Sequence, residues 1–345
     1  MNYRTFGKLG WTVSEIGIGT WAIGGDKWGP QDDNESRKTL HTAIDNGINF
    51  IDTAQVYGKG RSEKVIGEVL KERTEDIYVA TKIPPKPGSP RPISEYADVN
   101  QYYPRTFIIE ECEKSLRRLK RDYIDLLQFH TWTSSFNIAD EWIDASLKLK
   151  KDGKIRSISV SVPDNRQDSV IGAIVDKKID AVQVLYNIFE QSAQYNLFPV
   201  CEEFNIGIIN RVPLFEGALT GKFSKYTRFH RNDFRRNIFG GKKMDILLKY
   251  IEQVESIKNK YCPDLSLAQY AIRFCLSHPA ISTVIPGMRT PEQVLHNIQA
   301  INKGFCSEQE LKYLYTFAIV RTTLRSERSF KTIIKQGVKR YLMGR

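Results

Sequence analysis

Four ionisable side chains in the first half of the chain could together transfer a proton. Asp52, Lys82 and His130 each stand at the end of a short apolar run, and Tyr57 follows Asp52 by five residues. A tyrosine hydroxyl has an ordinary pKa of about 10 and is a poor acid at neutral pH. A neighbouring ammonium stabilises the phenolate, so Lys82 is expected to lower the pKa of Tyr57.

The same residues suit the reduction of a carbonyl group. Asp52 would hold Lys82 in an ion pair, Tyr57 would protonate the carbonyl oxygen, and His130 would orient that oxygen. The hydride itself has to come from a cofactor. Each residue alone has a structural alternative, because an aspartate can cap a helix and a buried Lys–Asp pair can be purely structural. Their joint occurrence at three consecutive strand ends favours catalysis.

The elements that would position these residues are short apolar runs that alternate with amphipathic segments. Eight runs have strand character: SEIGIG, INFID, IYVATK, YIDLLQFH, IRSISVS, AVQVLY, IGIIN and ISTVIPG. Helical patterns cover residues 36–46, 62–71, 105–120, 139–151 and 244–261. Alternating strands and helices indicate a parallel sheet. Eight such units predict a single (β/α)8 barrel, with an open doubly wound sheet as the alternative. In a barrel, the strand ends that carry Asp52, Lys82 and His130 share one rim.

Two long segments follow strands on the same face of the predicted barrel. Residues 84–104 follow the third strand, and residues 224–243 lie beyond the seventh. Long loops without periodic patterns are often lids or binding loops. The alternative is a surface loop without a role.

Composition and charge limit the class of protein. The chain has 345 residues, of which 41% are hydrophobic, and no apolar run approaches the roughly 20 residues of a membrane span. Five scattered cysteines without a CxxC pair argue against a disulfide framework or a metal site and favour the cytoplasm. Segment 321–345 holds eight Lys or Arg and one acid, so it carries +7 of the net charge of +11. No nucleic-acid-binding motif accompanies that charge.

The chain divides into a barrel at residues 1–320 and a basic tail at residues 321–345. The tail pattern predicts an amphipathic helix with apolar residues at Phe330, Ile333, Ile334, Val338, Tyr341 and Leu342. Such a helix could contact an anionic surface or a partner subunit. The alternative is a helix packed on the barrel itself.

The chain resembles the aldo-keto reductase superfamily from about residue 3 to residue 302. The resemblance is carried by GIGTWAIGG, AIDNGINFIDTAQVYGKGRSEKVIGEVLK, VATK, DYIDLLQFH, GKIRSISVS, LTGKF and IPGMRTPEQVLHNIQA. It is strongest to bacterial and plant general reductases and to potassium-channel β subunits. The resemblance implies a (β/α)8 barrel, NADP(H), and a catalytic tetrad of Asp52, Tyr57, Lys82 and His130.

The resemblance also implies a set of cofactor-binding residues. Gly19, Thr20, Trp21 and Asp52 would lie beside the nicotinamide ribose. Ser161 and Gln183 would hold the carboxamide. The segment RVPLFEGALTGKF would contact the cofactor and its pyrophosphate through Arg211, Pro213, Leu214, Gly217, Leu219, Gly221 and Lys222. Gly287, Arg289, Gln293 and Asn297 would hold the adenosine end. Because helix N-termini favour phosphate and arginine suits a 2′-phosphate, NADP(H) is expected rather than NAD(H). A surface role is the alternative for Arg289.

Two positions depart from the family pattern. Val162 stands where many members have asparagine, and Arg211 stands where many place an aromatic residue against the nicotinamide. A guanidinium can stack on a ring, but it adds charge near the hydride donor. Arg211 could therefore favour anionic or phosphorylated carbonyl substrates.

The sequence thus predicts an NADP(H)-dependent reductase of an aldehyde or ketone, with a sugar or another polar carbonyl as substrate. One alternative is an NADP-binding sensor or regulatory subunit with little turnover. The other is a sugar dehydratase or epimerase that uses bound NADP for a net non-redox step.

Overall fold

The computed structural model of the chain describes residues 1–25, 28–231, 233–318, 320–322 and 324. These residues form ten β-strands: β1 (Tyr3–Phe6), β2 (Trp11–Ser14), β3 (Ile18–Gly19), β4 (Phe50–Asp52), β5 (Tyr78–Ile83), β6 (Ile124–Phe129), β7 (Ile155–Ser161), β8 (Ala181–Leu185), β9 (Gly207–Arg211) and β10 (Thr283–Ile285). The α-helices are α1 (Asp33–Asp45), α2 (Arg61–Leu70), α3 (Arg105–Leu119), α4 (Glu141–Lys151), α5 (Ile171–Val175), α6 (Leu197–Glu203), α7 (Arg235–Phe239), α8 (Lys242–Tyr261), α9 (Leu267–Leu276), α10 (Pro291–Ile298) and α11 (Glu308–Leu314).

Strands β3 to β10 form one eight-stranded parallel sheet in chain order. The first and last of these strands meet through the bridges Ile16–Val284 and Gly19–Gly287, which close the sheet. The predicted (β/α)8 barrel is therefore confirmed, and the open sheet is excluded.

The barrel strands are buried almost throughout. Every residue of β6 and β8 is buried, and Arg156 is the exposed member of β7. Helices cover the outer face of the sheet and packed side chains fill its interior, so both faces need apolar residues. This is why the strands appear in the sequence as continuous apolar runs.

The hairpin of β1 and β2, which the sequence analysis did not predict, covers the end of the barrel where the strands begin. Its two strands pair antiparallel from Tyr3–Ser14 to Phe6–Trp11. The ring of Phe6 lies 5.6 Å from that of Phe50, at the start of β4. A Cβ on Gly207 would lie 2.5 Å from the Phe6 ring, so the hairpin packs directly on the start of β9. The hairpin therefore leaves uncovered the opposite end of the barrel, where the strands end and the predicted catalytic residues lie.

The two long segments on that face are more ordered than the sequence suggested. Segment 84–104 holds a 3-10 turn at Val99–Gln101, and both Tyr102 and Tyr103 are buried. Segment 224–243, expected to be a loop, contains α7 and the start of α8. Of the predicted basic tail, Arg321, Thr322 and Leu324 are helical, and the remainder of that prediction lies outside the described residues.

Two further observations concern membrane-spanning helices and disulfide bonds. Across the described part of the chain, no helix combines the length and apolar character needed to cross a membrane. All five cysteines are described, and each is buried and unpaired. The division between barrel and tail at residue 320 stays a prediction.

Candidate active site

The fold brings the four predicted catalytic residues together at the end of the barrel strands. Asp52 is the last residue of β4, and Tyr57 lies on the turn between β4 and α2. Lys82 is the next-to-last residue of β5, and His130 directly follows β6. Since β4, β5 and β6 are neighbours in the sheet, their ends share one rim.

Lys82 is the centre of this group. Its Nζ donates to both carboxylate oxygens of Asp52, each 2.7 Å away, and to the carbonyl oxygen of Thr53 at 2.8 Å. It also donates to the hydroxyl of Tyr57 at 3.3 Å. The side chain of Lys82 is fully buried, and that of Asp52 is 3% exposed. Burial makes the ion pair depend on complete hydrogen bonding of its remaining atoms.

Two glutamines, whose contacts with Asp52 the sequence did not indicate, complete that hydrogen bonding. Gln128 of β6 donates to Oδ1 of Asp52 at 3.0 Å, and Gln183 of β8 donates to the same oxygen at 2.6 Å. The resemblance predicted Gln183 as a carboxamide ligand. Gln128 was missed, although a glutamine inside the apolar run IDLLQF is a visible signal of an inward-facing polar residue.

The pKa of Tyr57 is raised from its ordinary value, although Lys82 lowers it as expected, because burial has the larger effect. Burial is the largest effect on Tyr57, and it disfavours the charged phenolate. Lys82 opposes burial, and Asp52 reinforces it. Tyr57 therefore carries its proton at neutral pH.

His130 is held in its neutral form. Its pKa is lowered to about 3, first by burial and then by the positive charges of Lys82, Arg211 and Arg91. The imidazole ring meets Tyr57 edge to face, with 6.0 Å between the ring centroids. A neutral imidazole here can donate or accept a hydrogen bond but does not carry charge.

Gly19 is the last residue of β3, Thr20 and Trp21 follow it, and this segment packs against the predicted tetrad. The hydroxyl of Thr20 donates to the carbonyl oxygen of Asp52 at 2.9 Å, which ties β3 to β4. The ring of Trp21 stacks beside that of Tyr57, with 6.1 Å between their centroids. The structure thus places these residues at the rim, next to the catalytic group.

Arg211, the last residue of β9, is an ion-pair partner of Asp164. One guanidinium nitrogen donates to Asp164 at 2.6 Å and to the carbonyl oxygen of Val162 at 2.9 Å. Arg321 donates to the other oxygen of Asp164 and lies 3.7 Å from Glu190. Asp164 therefore partly balances the charge of Arg211. Neither Asp164 nor Arg321 was predicted.

The turn after β9 has an unusual backbone. Val212, Phe215 and Glu216 have φ values of 58°, 46° and 51°, in the left-handed region that side chains disfavour. Strained backbone of this kind is concentrated at functional sites. The turn carries the predicted contacts Pro213, Leu214, Gly217, Leu219, Gly221 and Lys222. Gly221 and Lys222 are exposed, and a Cβ on Gly221 would make ordinary van der Waals contact with Glu255 at 3.8 Å and Leu267 at 3.9 Å.

The predicted adenosine contacts lie where β10 meets α10. Thr290 caps α10 by accepting from the backbone of Gln293, and the side chain of Gln293 accepts from the backbone of Arg289 at 2.8 Å. Gly287 is exposed, and a Cβ built on it would have one neighbour, 4.0 Å away. Asn297, in the last turn of α10, is buried.

Aromatic residues from two loops border the catalytic group. Trp28 and Phe234 lie 5.4 Å and 5.0 Å from Trp21, measured between ring centroids. Arg235 stacks its guanidinium over Trp28 at 4.7 Å. The segment that carries Phe234 thus borders the predicted site, and the role of residues 224–243 as a binding loop stays a prediction.

Comparison with known proteins identifies the family. The family model described as "Aldo/keto reductase family" matches residues 15–318, and the chain belongs to that family. The uncharacterized oxidoreductase YqkF of Bacillus subtilis is 33% identical, over 91% of this chain and 95% of its own. A probable voltage-gated potassium channel subunit beta of Arabidopsis thaliana is 28% identical, over 88% and 92%. The NADH-specific methylglyoxal reductase of Escherichia coli is 30% identical, over 84% and 90%.

Solved structures agree with this assignment. Glycerol dehydrogenase AKR11B4 of Gluconobacter oxydans has a TM-score of 0.76 and 29% identity, over 92% of this chain and 95% of that one. An aldo-keto reductase of Klebsiella pneumoniae in complex with NADPH has a TM-score of 0.66 and 25% identity, over 91% and 93%. The resemblance to bacterial reductases and potassium-channel β subunits is confirmed, and the chain is an oxidoreductase of the aldo-keto reductase class.

Proposed function

We propose that the protein reduces an aldehyde or ketone to an alcohol with NADP(H), and that Tyr57 gives the proton. The observation that carries the proposal is the position of Lys82, whose ammonium contacts the carboxylate of Asp52 and the hydroxyl of Tyr57 at once. This contact makes the hydroxyl of Tyr57 the group that can give a proton to a bound carbonyl oxygen.

The raised pKa of Tyr57 is consistent with the role of a general acid. At neutral pH the hydroxyl is protonated before the reaction, as an acid must be. When the proton moves to the carbonyl oxygen, the phenolate that remains lies beside the Lys82 ammonium. Lys82 therefore stabilises the charge that develops during the reaction. Neutral His130 can donate a hydrogen bond to the same carbonyl oxygen and so fix its position.

The residues at the rim fit a nicotinamide dinucleotide with a 2′-phosphate. The hydride would come from the nicotinamide when the cofactor is bound. Gly287 and Gly221 are both exposed, so a ligand can approach the backbone at these positions. Arg289 contacts neutral oxygens of the protein, so its positive charge suits an added phosphate. The residues proposed to hold the cofactor are Gly19, Thr20, Trp21, Asp52, Ser161, Gln183, Arg211, Pro213, Leu214, Gly217, Leu219, Gly221, Lys222, Gly287, Arg289, Gln293 and Asn297.

The remaining proposals concern location and partners. We propose a small-molecule carbonyl as the substrate, with a sugar or another polar carbonyl as the class. Five unpaired, buried cysteines support a reducing compartment such as the cytoplasm. The contact of the basic tail with a partner subunit or an anionic surface stays a prediction.

The direct test is the oxidation of bound NADPH in a stopped-flow instrument, with a panel of neutral and charged aldehydes. The wild-type protein should oxidise NADPH with at least one aldehyde. Tyr57→Phe should bind NADPH with unchanged affinity but react about 10²- to 10⁴-fold more slowly, as expected for the loss of a general acid. Tyr250→Phe, a change far along the chain in α8, is the control. Tight NADPH binding by the wild type without turnover on any carbonyl would contradict the proposal and indicate a sensor.

A further inference from the structure

The guanidinium of Arg289 is held by the loop that precedes α1. It donates to the side-chain oxygen of Gln31 at 2.7 Å, to the carbonyl oxygen of Trp28 at 3.2 Å and to that of Pro30 at 2.6 Å. The amide of Gln31 in turn donates to the carbonyl oxygen of Arg289 at 3.1 Å. All three nitrogens of the guanidinium are therefore engaged with segment 28–31.

These contacts leave the charge of Arg289 unbalanced. Among the described residues, no carboxylate is a hydrogen-bond or ion-pair partner of Arg289, and its pKa is lowered by burial and by the charge of Arg235. Arg235 differs, because Asp233 accepts from two of its nitrogens at 3.0 Å and 2.6 Å. A half-buried cation that meets neutral oxygens is stabilised when an anion arrives.

An anion at Arg289 has to share or displace the contacts with segment 28–31. A guanidinium has five N–H donors on three nitrogens, and a phosphate binds best through two parallel hydrogen bonds from the fork. NADH has no 2′-phosphate and can leave the contacts in place. We propose that segment 28–31 competes with the 2′-phosphate of NADP(H) for Arg289, so that Gln31 weakens the preference for NADPH over NADH. This inference rests on the proposed function, which places the 2′-phosphate at Arg289.

The same segment reaches the catalytic group. Trp28 lies 5.4 Å from Trp21 and 5.2 Å from Phe234, and Trp21 stacks beside Tyr57. Among the described residues, the buried indole nitrogen of Trp28 has no hydrogen-bond partner, so no described polar contact fixes its position. A phosphate that displaces segment 28–31 therefore also shifts an aromatic ring at the wall of the site, and tryptophan fluorescence should report that shift.

Gln31 contacts Arg289 through its side chain, so a substitution there changes this contact and keeps the backbone carbonyl acceptors of Trp28 and Pro30. Gln31→Ala removes one neutral competitor. It should tighten NADPH binding about fivefold, close to the value of one hydrogen bond, and leave NADH binding within about twofold. Gln31→Glu places a carboxylate on Arg289, which balances the charge and repels phosphate. It should weaken NADPH binding by about tenfold or more and again leave NADH binding nearly unchanged.

The experiment measures dissociation constants for NADPH and NADH by quenching of tryptophan fluorescence, without a carbonyl present. Gln309→Ala and Gln309→Glu, on the exposed face of α11, are the matched controls for the change in size and charge. Arg289→Met is the third arm and should weaken NADPH binding about tenfold or more, with little effect on NADH.

The outcomes separate this inference from the proposed cofactor site. If both Gln31 variants keep the NADPH-to-NADH ratio within about twofold of wild type while Arg289→Met lowers it, segment 28–31 does not compete and the inference is wrong. If Arg289→Met leaves NADPH affinity unchanged, the 2′-phosphate does not bind at Arg289. The proposed cofactor contact then fails and the inference fails with it.

Discussion

Gln183 donates its side-chain amide to Oδ1 of Asp52 over 2.6 Å, although the two residues stand 131 positions apart in the sequence. Gln128 donates to the same oxygen from another strand, and Lys82 contacts both oxygens. The carboxylate is thus held from three directions. These hydrogen bonds fix the orientation of the Asp52 carboxylate. Because the carboxylate holds Lys82, they also fix the position of the ammonium beside Tyr57.

The two glutamines form a matched pair for separating cofactor binding from support of Asp52. Gln183→Leu and Gln128→Leu each leave Asp52 without one donor, so each should lower the free energy of unfolding by about 1–3 kcal/mol. Because Gln183 is also a proposed carboxamide ligand, Gln183→Leu alone should weaken NADPH binding. Urea denaturation and fluorescence titration measure the two effects. Equal NADPH affinity in the two variants would show that Gln183 supports Asp52 but does not bind the cofactor.

The low pKa of His130 makes stability depend on pH. The unfolded histidine has a pKa of 6.5 and the folded one of about 3, so between these values the unfolded state binds more protons. The contribution of neutral His130 is complete above pH 6.5 and is lost as the pH falls toward 3.

The variant His130→Gln should therefore lose less unfolding free energy than wild type when the pH falls from about 6.5 to 4.5. The measurement is denaturant unfolding at a series of pH values. His278, whose pKa is lowered to about 4, is present in both proteins and does not affect the difference between them. Identical pH slopes for the two proteins would show that His130 titrates normally in the folded state.

The ion pair of Arg211 and Asp164 should control the response to charged substrates. Asp164→Asn removes the charge that partly balances Arg211, so the mouth of the site becomes more positive. The ratio of kcat/KM for para-carboxybenzaldehyde to that for benzaldehyde should rise about threefold to tenfold, and the rise should shrink at high salt.

The control for this change is Asp168→Asn, in the same region but paired with Asn196. It removes an equal charge without freeing Arg211. Arg211→Tyr should move the ratio in the opposite direction, toward the neutral aldehyde. A preference that stays the same in both Asp164→Asn and Arg211→Tyr would exclude Arg211 from substrate selection.

Close backbone contact between the loops after β3 and β4 should make Gly24 sensitive to any side chain. A Cβ on Gly24 would lie 2.6 Å from the nitrogen of Gly58 and 2.7 Å from the carbonyl carbon of Tyr57. Gly24→Ala should displace the Tyr57 turn, lower kcat more than about tenfold, and destabilise the fold by about 1–3 kcal/mol.

Gly153→Ala provides the comparison for that result. Gly153 has a φ of 70° with no atom within 4 Å of a built Cβ, so alanine there adds backbone strain without a clash. It should cost about 1–2 kcal/mol of stability and leave kcat unchanged. Steady-state kinetics with thermal unfolding checks both variants. An unchanged kcat in Gly24→Ala would mean that the loops can separate without moving Tyr57.

The sequence predicted the barrel and the tetrad because both leave local signals. Buried parallel strands appear as apolar runs, and an ionisable residue at the end of such a run, as at Asp52, Lys82 and His130, is visible without any knowledge of the fold. The sequence also predicted that Arg289 precedes a helix and that Gln293 lies within it, because a threonine cap followed by proline marks the start of α10.

Contacts between distant residues could not be predicted in this way. The bonds of Asp164 to Arg211 and Arg321 join positions 47 and 157 residues apart, and nothing in the local pattern of any of them indicates the partner. The net rise in the pKa of Tyr57 could not be predicted for a related reason. The effect of Lys82 follows from its charge, but the larger effect of burial depends on how the loops pack over Tyr57.

The long separations around Asp52 also bear on how the chain reaches its native state. Its bonds to Lys82, Gln128 and Gln183 close chain segments of 30, 76 and 131 residues. The short-range contact is favoured to form before the long-range ones, since a larger closed segment costs more loop-closure entropy. The hydrogen bonding of Asp52 is therefore complete only when β8, which carries Gln183, has joined the sheet. Refolding molecules should acquire helices first and the ability to react last.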